Sequence, residues 1–195
     1  MIMATGDDTF PKESEGARAA LRSRIDTGAI KLSGLAATVG TDDRDVLDRL
    51  TMLGFTPDSA RVLDVLPLVH VAWADGKIQP AERNAVLAVL ESRNISRASD
   101  AWLLIETLLE TRPSETYLAQ SLQLLQLLGH STGADPKSIV ELCTVVAQAS
   151  GTLFGIGAKV TSAERELIAR IASALGAQAT ETVMERVSVP PPRGS

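Results

Sequence analysis

Trp73-Ala74-Asp75-Gly76-Lys77-Ile78-Gln79-Pro80-Ala81-Glu82-Arg83 is the stretch that decides the fold. An apolar run, Leu66 to Ala74, leads into it. Asp75-Gly76 is a turn signal: Asp tolerates the left-handed backbone region and Gly enters it without Cβ strain. Ile78 is an apolar plug between polar neighbours, placed to bury itself between two helices and fix their angle. Pro80 suits a first helical position. Glu82 then falls at about the third. The stretch predicts a tight helix–turn–helix corner.

A weaker copy follows: Gly157-Ala158-Lys159-Val160-Thr161-Ser162-Ala163-Glu164-Arg165. Both copies carry Lys, a β-branched apolar residue, a helix-start signal and Ala-Glu-Arg. Glu82 and Glu164 lie 82 residues apart. Each Glu has a structural role available, because a carboxylate at the third helical position accepts the cap residue's backbone N–H. Thr161-Ser162-Ala163-Glu164 is a capping box in full. Glu82 differs in having Asp75 seven residues earlier, across the turn, so that both carboxylates face one small space.

Asp-Gly-Lys-Ile-x-x-x-Glu is also the second half of an EF-hand loop. The first and third ligands of such a loop would fall on Val71 and Trp73, which offer no side-chain oxygen. A complete EF-hand is excluded. What remains is a half-site, and a divalent cation held there needs further oxygens from backbone, water or other acids.

The rest of the chain reads helical. Aromatic residues are only 3%, so the core must be Leu, Val, Ile and Ala, a mix that packs well between helices. Glu15–Asp26 is a short amphipathic candidate. Thr41-Asp42-Asp43-Arg44 opens a helix that Gly54 ends. Thr56-Pro57-Asp58 opens the next, and Pro67 predicts a break before Leu68–Ala74. Gln79-Pro80, Ser99-Asp100, Pro113-Ser114-Glu115, Asp135-Pro136 and Thr161-Ser162 open five more. A final helix is expected over Ala179–Val187. No period-2 strand stands out. The expected class is all-α: a helical bundle of two pseudo-repeated helix–turn–helix halves with an N-terminal helical arm. Residues 1–14 are expected to be a disordered leader, 15–55 the arm, 56–188 the helical domain and 189–195 a disordered tail.

The net charge of −5 gives no attraction to phosphate backbones, so no nucleic-acid partner is expected. Cys143 is the only cysteine, which excludes an internal disulfide and a Cys-based zinc site. It is expected to be buried and inert. The N-terminal residues show neither a basic region nor an apolar run, so no signal peptide is read there. No apolar stretch reaches the roughly 18 residues needed to cross a bilayer. A cytoplasmic protein is expected. His70, within an apolar helix, reads as a core histidine, and His130 as a solvated loop residue. The glycine-rich segment 151–159 fails as a phosphate loop, lacking Gly-Lys-Ser/Thr and a preceding strand. Its Leu153, Phe154 and Ile156 read as residues buried over the core, with docking of a partner or a membrane surface as the alternative. No nucleophile–base constellation is visible, and no enzyme is expected.

At Ala74-Asp75-Gly76-Lys77-Ile78 and Glu82-Arg83 the chain resembles the tellurite-resistance TerB-like family. The likeness spans about residues 58–178. It implies an all-helical fold with two repeats and a non-enzymatic role in stress response. It also implies that the motif acids gather into a metal-binding surface. Carried over, that implicates Asp75, Glu82 and Glu164 as ligands of a divalent cation such as calcium. The second repeat departs from the pattern, with Gly157 and Ala158 where the family has Asp-Gly. The alternative expectation is a protein-interaction module with no metal site, its corners purely structural. Either role implies a protein partner.

Overall fold

The computed structural model describes residues 12–128, 135–149 and 160–176. Among these are eight α-helices, one 3-10 segment and no strand. The order is α1 (Lys12–Val39), α2 (Arg44–Met52), the 3-10 segment (Ser59–Val65), α3 (Leu66–Ala72), α4 (Pro80–Ser92), α5 (Asp100–Glu110), α6 (Glu115–Leu128), α7 (Pro136–Ala149) and α8 (Ser162–Leu175). The all-α bundle expected from the sequence is the fold observed.

Local chemistry sets most helix starts. Asp43 accepts the backbone N–H groups of Asp45 and Val46 at the start of α2. Ser99 caps α5 by accepting from Trp102. Two expectations need correction. The first helix is not confined to Glu15–Asp26. It begins at Lys12, inside the expected leader, and continues to Val39. The outer part, from Gly16 to Lys31, is solvent-exposed, whereas Leu35 and Val39 plug the core. The core contact of its last turns explains why the amphipathic signal was misplaced. The second correction concerns Thr56-Pro57-Asp58. These residues open a 3-10 segment rather than a regular helix, and the Asp58 carboxylate accepts the Ala101 backbone N–H, 3.0 Å away, at the start of α5. Thr56 likewise donates to Asp100. The segment that follows winds as a 3-10 helix whose non-helical residue is Val62, and α3 starts at Leu66 with Pro67 in its first turn, so the break lies upstream of the position that Pro67 predicts.

α3 is the hub. All seven of its residues are buried. It packs chiefly against α7, the equivalent helix of the second repeat. The helices that follow then cross over: α4 packs on α7, and α8 packs on α3. Val86 and Leu90 of α4 and Ile168 and Ile171 of α8 are fully enclosed at these contacts. Cys143 on α7 is buried, and burial pushes its thiol well above the usual range, so it packs as a small apolar residue. Leu122, Leu124, Leu125 and Leu128 of α6 complete the core, as the leucine-rich run suggests. The close approach of α1 to the 3-10 segment depends on Gly34, where an added Cβ would lie 2.8 Å from the Pro57 ring.

Candidate functional site

The first corner forms as its sequence predicts. α3 ends at Ala72, and the Trp73 indole N–H donates to the Leu108 carbonyl at 2.9 Å, tying the corner to α5. Gly76 turns the chain at φ 91°, a value that side-chain-bearing residues rarely adopt. Asp75 is exposed, and its Oδ1 accepts the Lys77 backbone N–H at 3.2 Å. Its visible work is to close the turn. Ile78 packs against the core. Gln79 caps α4 and Pro80 occupies the first turn.

Glu82 is 1% exposed and Glu164 is 2% exposed. Both close capping boxes. Oε2 of Glu82 accepts the Gln79 N–H at 2.7 Å, and Oε2 of Glu164 accepts the Thr161 N–H. Thr161 returns the bond by accepting the Glu164 N–H. The capping readings of the sequence are therefore observed at both positions.

The crossed packing of the corners adds what neither local sequence contains. It brings the Glu82 and Glu164 carboxylates within interaction range of each other, one from each repeat. The pKa of Glu82 is raised from 4.5 to about 7. Burial is the main cause, opposed by the Gln79 N–H bond. The Glu164 charge, the Asp75 charge and a hydrogen bond between the two glutamates push it further up. Near neutral pH the Glu82 carboxyl is accordingly held toward its protonated form. Asp75 contributes charge from the rim rather than a third converging carboxylate. Among the described residues no group of three or more His, Cys, Asp or Glu side chains is placed to hold a metal ion. The fit to a divalent cation is thus partial: burial and negative charge are present, but calcium takes six to eight oxygens, and one oxygen of each Glu already serves a helix cap.

His70 lies in the core wall of α3, 6% exposed, as its apolar surroundings suggest. Its Nε2 has no hydrogen-bond partner. Burial, aided by the Arg112 charge, lowers its pKa to about 4, so the imidazole is neutral near pH 7. Gly157 and Ala158, His130, the apolar residues Leu153, Phe154 and Ile156, and the helix expected over Ala179–Val187 lie outside the described residues. No described helix is long and apolar enough to cross a membrane.

The sequence alone did not place Glu82 beside Glu164 across the repeat. The signal was present as the shared Ala-Glu-Arg of the two corners, but only the α3–α7 contact converts it to proximity.

Comparison with curated proteins and with solved structures gave no match. A family model, Tellurite resistance protein TerB, matches residues 65–186, from the start of α3 through both corners. With more than half its length in that match, the chain belongs to the TerB tellurite-resistance family.

Proposed function

We propose that this is a non-enzymatic protein of the tellurite-stress response in which Glu82 and Glu164 form a cation-responsive clasp between the two repeats. The observation that carries the reading is the convergence of two buried carboxylates from separate corners, one with its pKa raised to about 7. A divalent cation such as calcium or manganese competes with the proton of Glu82 for this pair. Glu82 and Glu164 supply the buried charge, Asp75 adds a carboxylate at the rim, and water completes the shell. Binding is weak, because the protein ligands are few and a proton must leave. The clasp sets the angle between the repeats and so the surface offered to a protein partner. A cytoplasmic location belongs to the same reading.

The test is calorimetric titration with calcium and with manganese at pH 6 and pH 8. Binding at pH 8 that weakens at pH 6 and disappears in Glu164→Gln is the expected result. Absence of binding at about 1 mM cation, the weak end of the known range of protein calcium sites, removes the cation from the account.

A second reading has its own support. Both glutamates cap helices, and Asp75 closes its own turn. On that reading the protein is an interaction module with purely structural corners. Asp75→Asn then alters stability at most and leaves partner binding unchanged.

A further inference from the structure

A cleft of about 180 Å³ lies between α3, the start of α6 and α8, beside the first corner. Trp73, Leu118 and Leu167 give it apolar surface. His70 forms part of its wall, and this side chain, more than nine-tenths buried, carries an Nε2 with no partner. At the rim stand Arg112 and Arg170, with Glu115 and Glu166 among them. Glu115 reaches toward both guanidinium groups, at 3.7 Å from Arg112 and 3.9 Å from Arg170. Both separations exceed hydrogen-bond length. Glu115 therefore pairs loosely with two cations without hydrogen-bonding either, where a ligand carboxylate would make shorter bonds.

The composition of the rim selects the ligand. Two guanidinium and two carboxylate groups leave it formally neutral, which does not suit a multiply charged phosphate. It suits a molecule with one charge of each sign. The apolar wall suits a hydrocarbon body, and the volume suits a small one. The geometry points to a binding site for a small zwitterion with an apolar side chain, an α-amino acid of about the size of leucine. Arg112 and Arg170 take the carboxylate, and Glu166 with a displaced Glu115 takes the ammonium group. The hydrocarbon lies over Trp73, Leu118 and Leu167. The neutral imidazole of His70 is the remaining polar group of the wall. The site does not depend on a cation at Glu82 and Glu164, although Ala74 and Ala163 place it next to them in the fold.

The experiment is titration of the full chain with L-leucine, followed by calorimetry and by the ¹⁵N resonances of the His70 imidazole. Arg170 is mostly exposed, so Arg170→Gln keeps the fold. The expected result is one-to-one binding that shifts the His70 resonances. Arg170→Gln weakens it about tenfold, the loss of one charge-assisted hydrogen bond. The two half-ligands, 4-methylpentanoate without the ammonium and 3-methylbutylamine without the carboxylate, each bind more weakly than leucine. The proposal is overturned by no binding at roughly 10 mM leucine, where a Kd of about 1 mM fills most sites. Unchanged affinity in Arg170→Gln, unmoved His70 resonances, or inorganic phosphate binding more tightly than leucine would each overturn it as well.

Discussion

Glu82 and Glu164 perform the same local task in different surroundings. Each sits at the third position of its helix, each is buried, and each accepts the backbone N–H of its cap residue. Yet the corner ahead of Glu82 brings in a second acid, Asp75, and the sequence ahead of Glu164 has Gly157 and Ala158 instead. The repeat has kept the residue that builds the helix and varied the residue that adds charge. A capping Glu is a local necessity, so it recurs; an acid at the turn is not required for the corner to close. The chemistry beyond capping arises only because the fold sets one cap beside the other.

The largest test of that comparison concerns the shared core. Leu90 of α4 and Ile168 of α8 are both fully buried at the crossed contacts. Leu90→Ala and Ile168→Ala should each cost about 2–5 kcal/mol in denaturant unfolding, with a single transition retained. Two separate transitions would show that the repeats fold independently and that the glutamate pair is incidental.

The next effect is in pH dependence. Glu82 has its ordinary value of 4.5 when unfolded and about 7 when folded. Below pH 4.5 both states hold the proton and the group costs nothing. As pH rises from 4.5 to 7 the unfolded chain releases it first, so stability falls by about 3 kcal/mol. His70 works in the opposite sense. Its value falls from 6.5 unfolded to about 4 folded, so its contribution is complete above 6.5 and is lost as pH falls through 4. The two slopes oppose each other over the same range, and the wild-type profile should be nearly level from pH 4.5 to 6.5. Glu82→Gln keeps an acceptor for the Gln79 N–H and removes one slope. Its stability, followed by urea unfolding, should rise by about 3 kcal/mol between pH 4 and 6.5. A profile parallel to wild type would sink the assignment.

Smaller effects separate the two corners themselves. Gly76→Ala, forced to φ 91°, should cost about 1–2 kcal/mol in thermal or urea unfolding. Asp75→Asn should change stability by no more than about 0.5 kcal/mol, because an Asn side chain makes the same turn bond. It should nevertheless lower the pKa of Glu82 by removing a neighbouring charge. A large stability loss there would make Asp75 more structural than its exposure allows.

How much of this was legible in the sequence follows from the range of each interaction. The corner at Asp75-Gly76, the caps at Gln79 and Thr161 and the helices they open depend on residues within one or two turns, and the sequence reading places them correctly. Pro67 instead takes a first-turn position of α3, where its missing N–H costs nothing, and the non-helical residue is Val62. The start of regular helix after Pro57 is not read correctly, since the chain there winds as a 3-10 segment that packs on α5, with Asp58 bonded to Ala101, a partner 43 residues away. The sequence reading of α1 stops at Asp26 and misses its last turns, because Leu35 and Val39 find their apolar partners only in elements that follow in the chain. The glutamate pair is suggested only by resemblance, and the raised pKa of Glu82 depends on burial by elements far apart in sequence. The cleft at Arg112 and Arg170 was not visible, since Pro113-Ser114-Glu115 reads only as a helix start until α8 is laid beside it.

The most direct measurement is the pH titration of the Glu82 and Glu164 side-chain carboxyl ¹³C resonances, in wild type and in Glu164→Gln. The account predicts that Glu82 titrates near pH 7 in wild type and at lower pH in the variant. A Glu82 resonance that titrates near 4.5 in both proteins would contradict the claim that the fold joins the two corners through their glutamates.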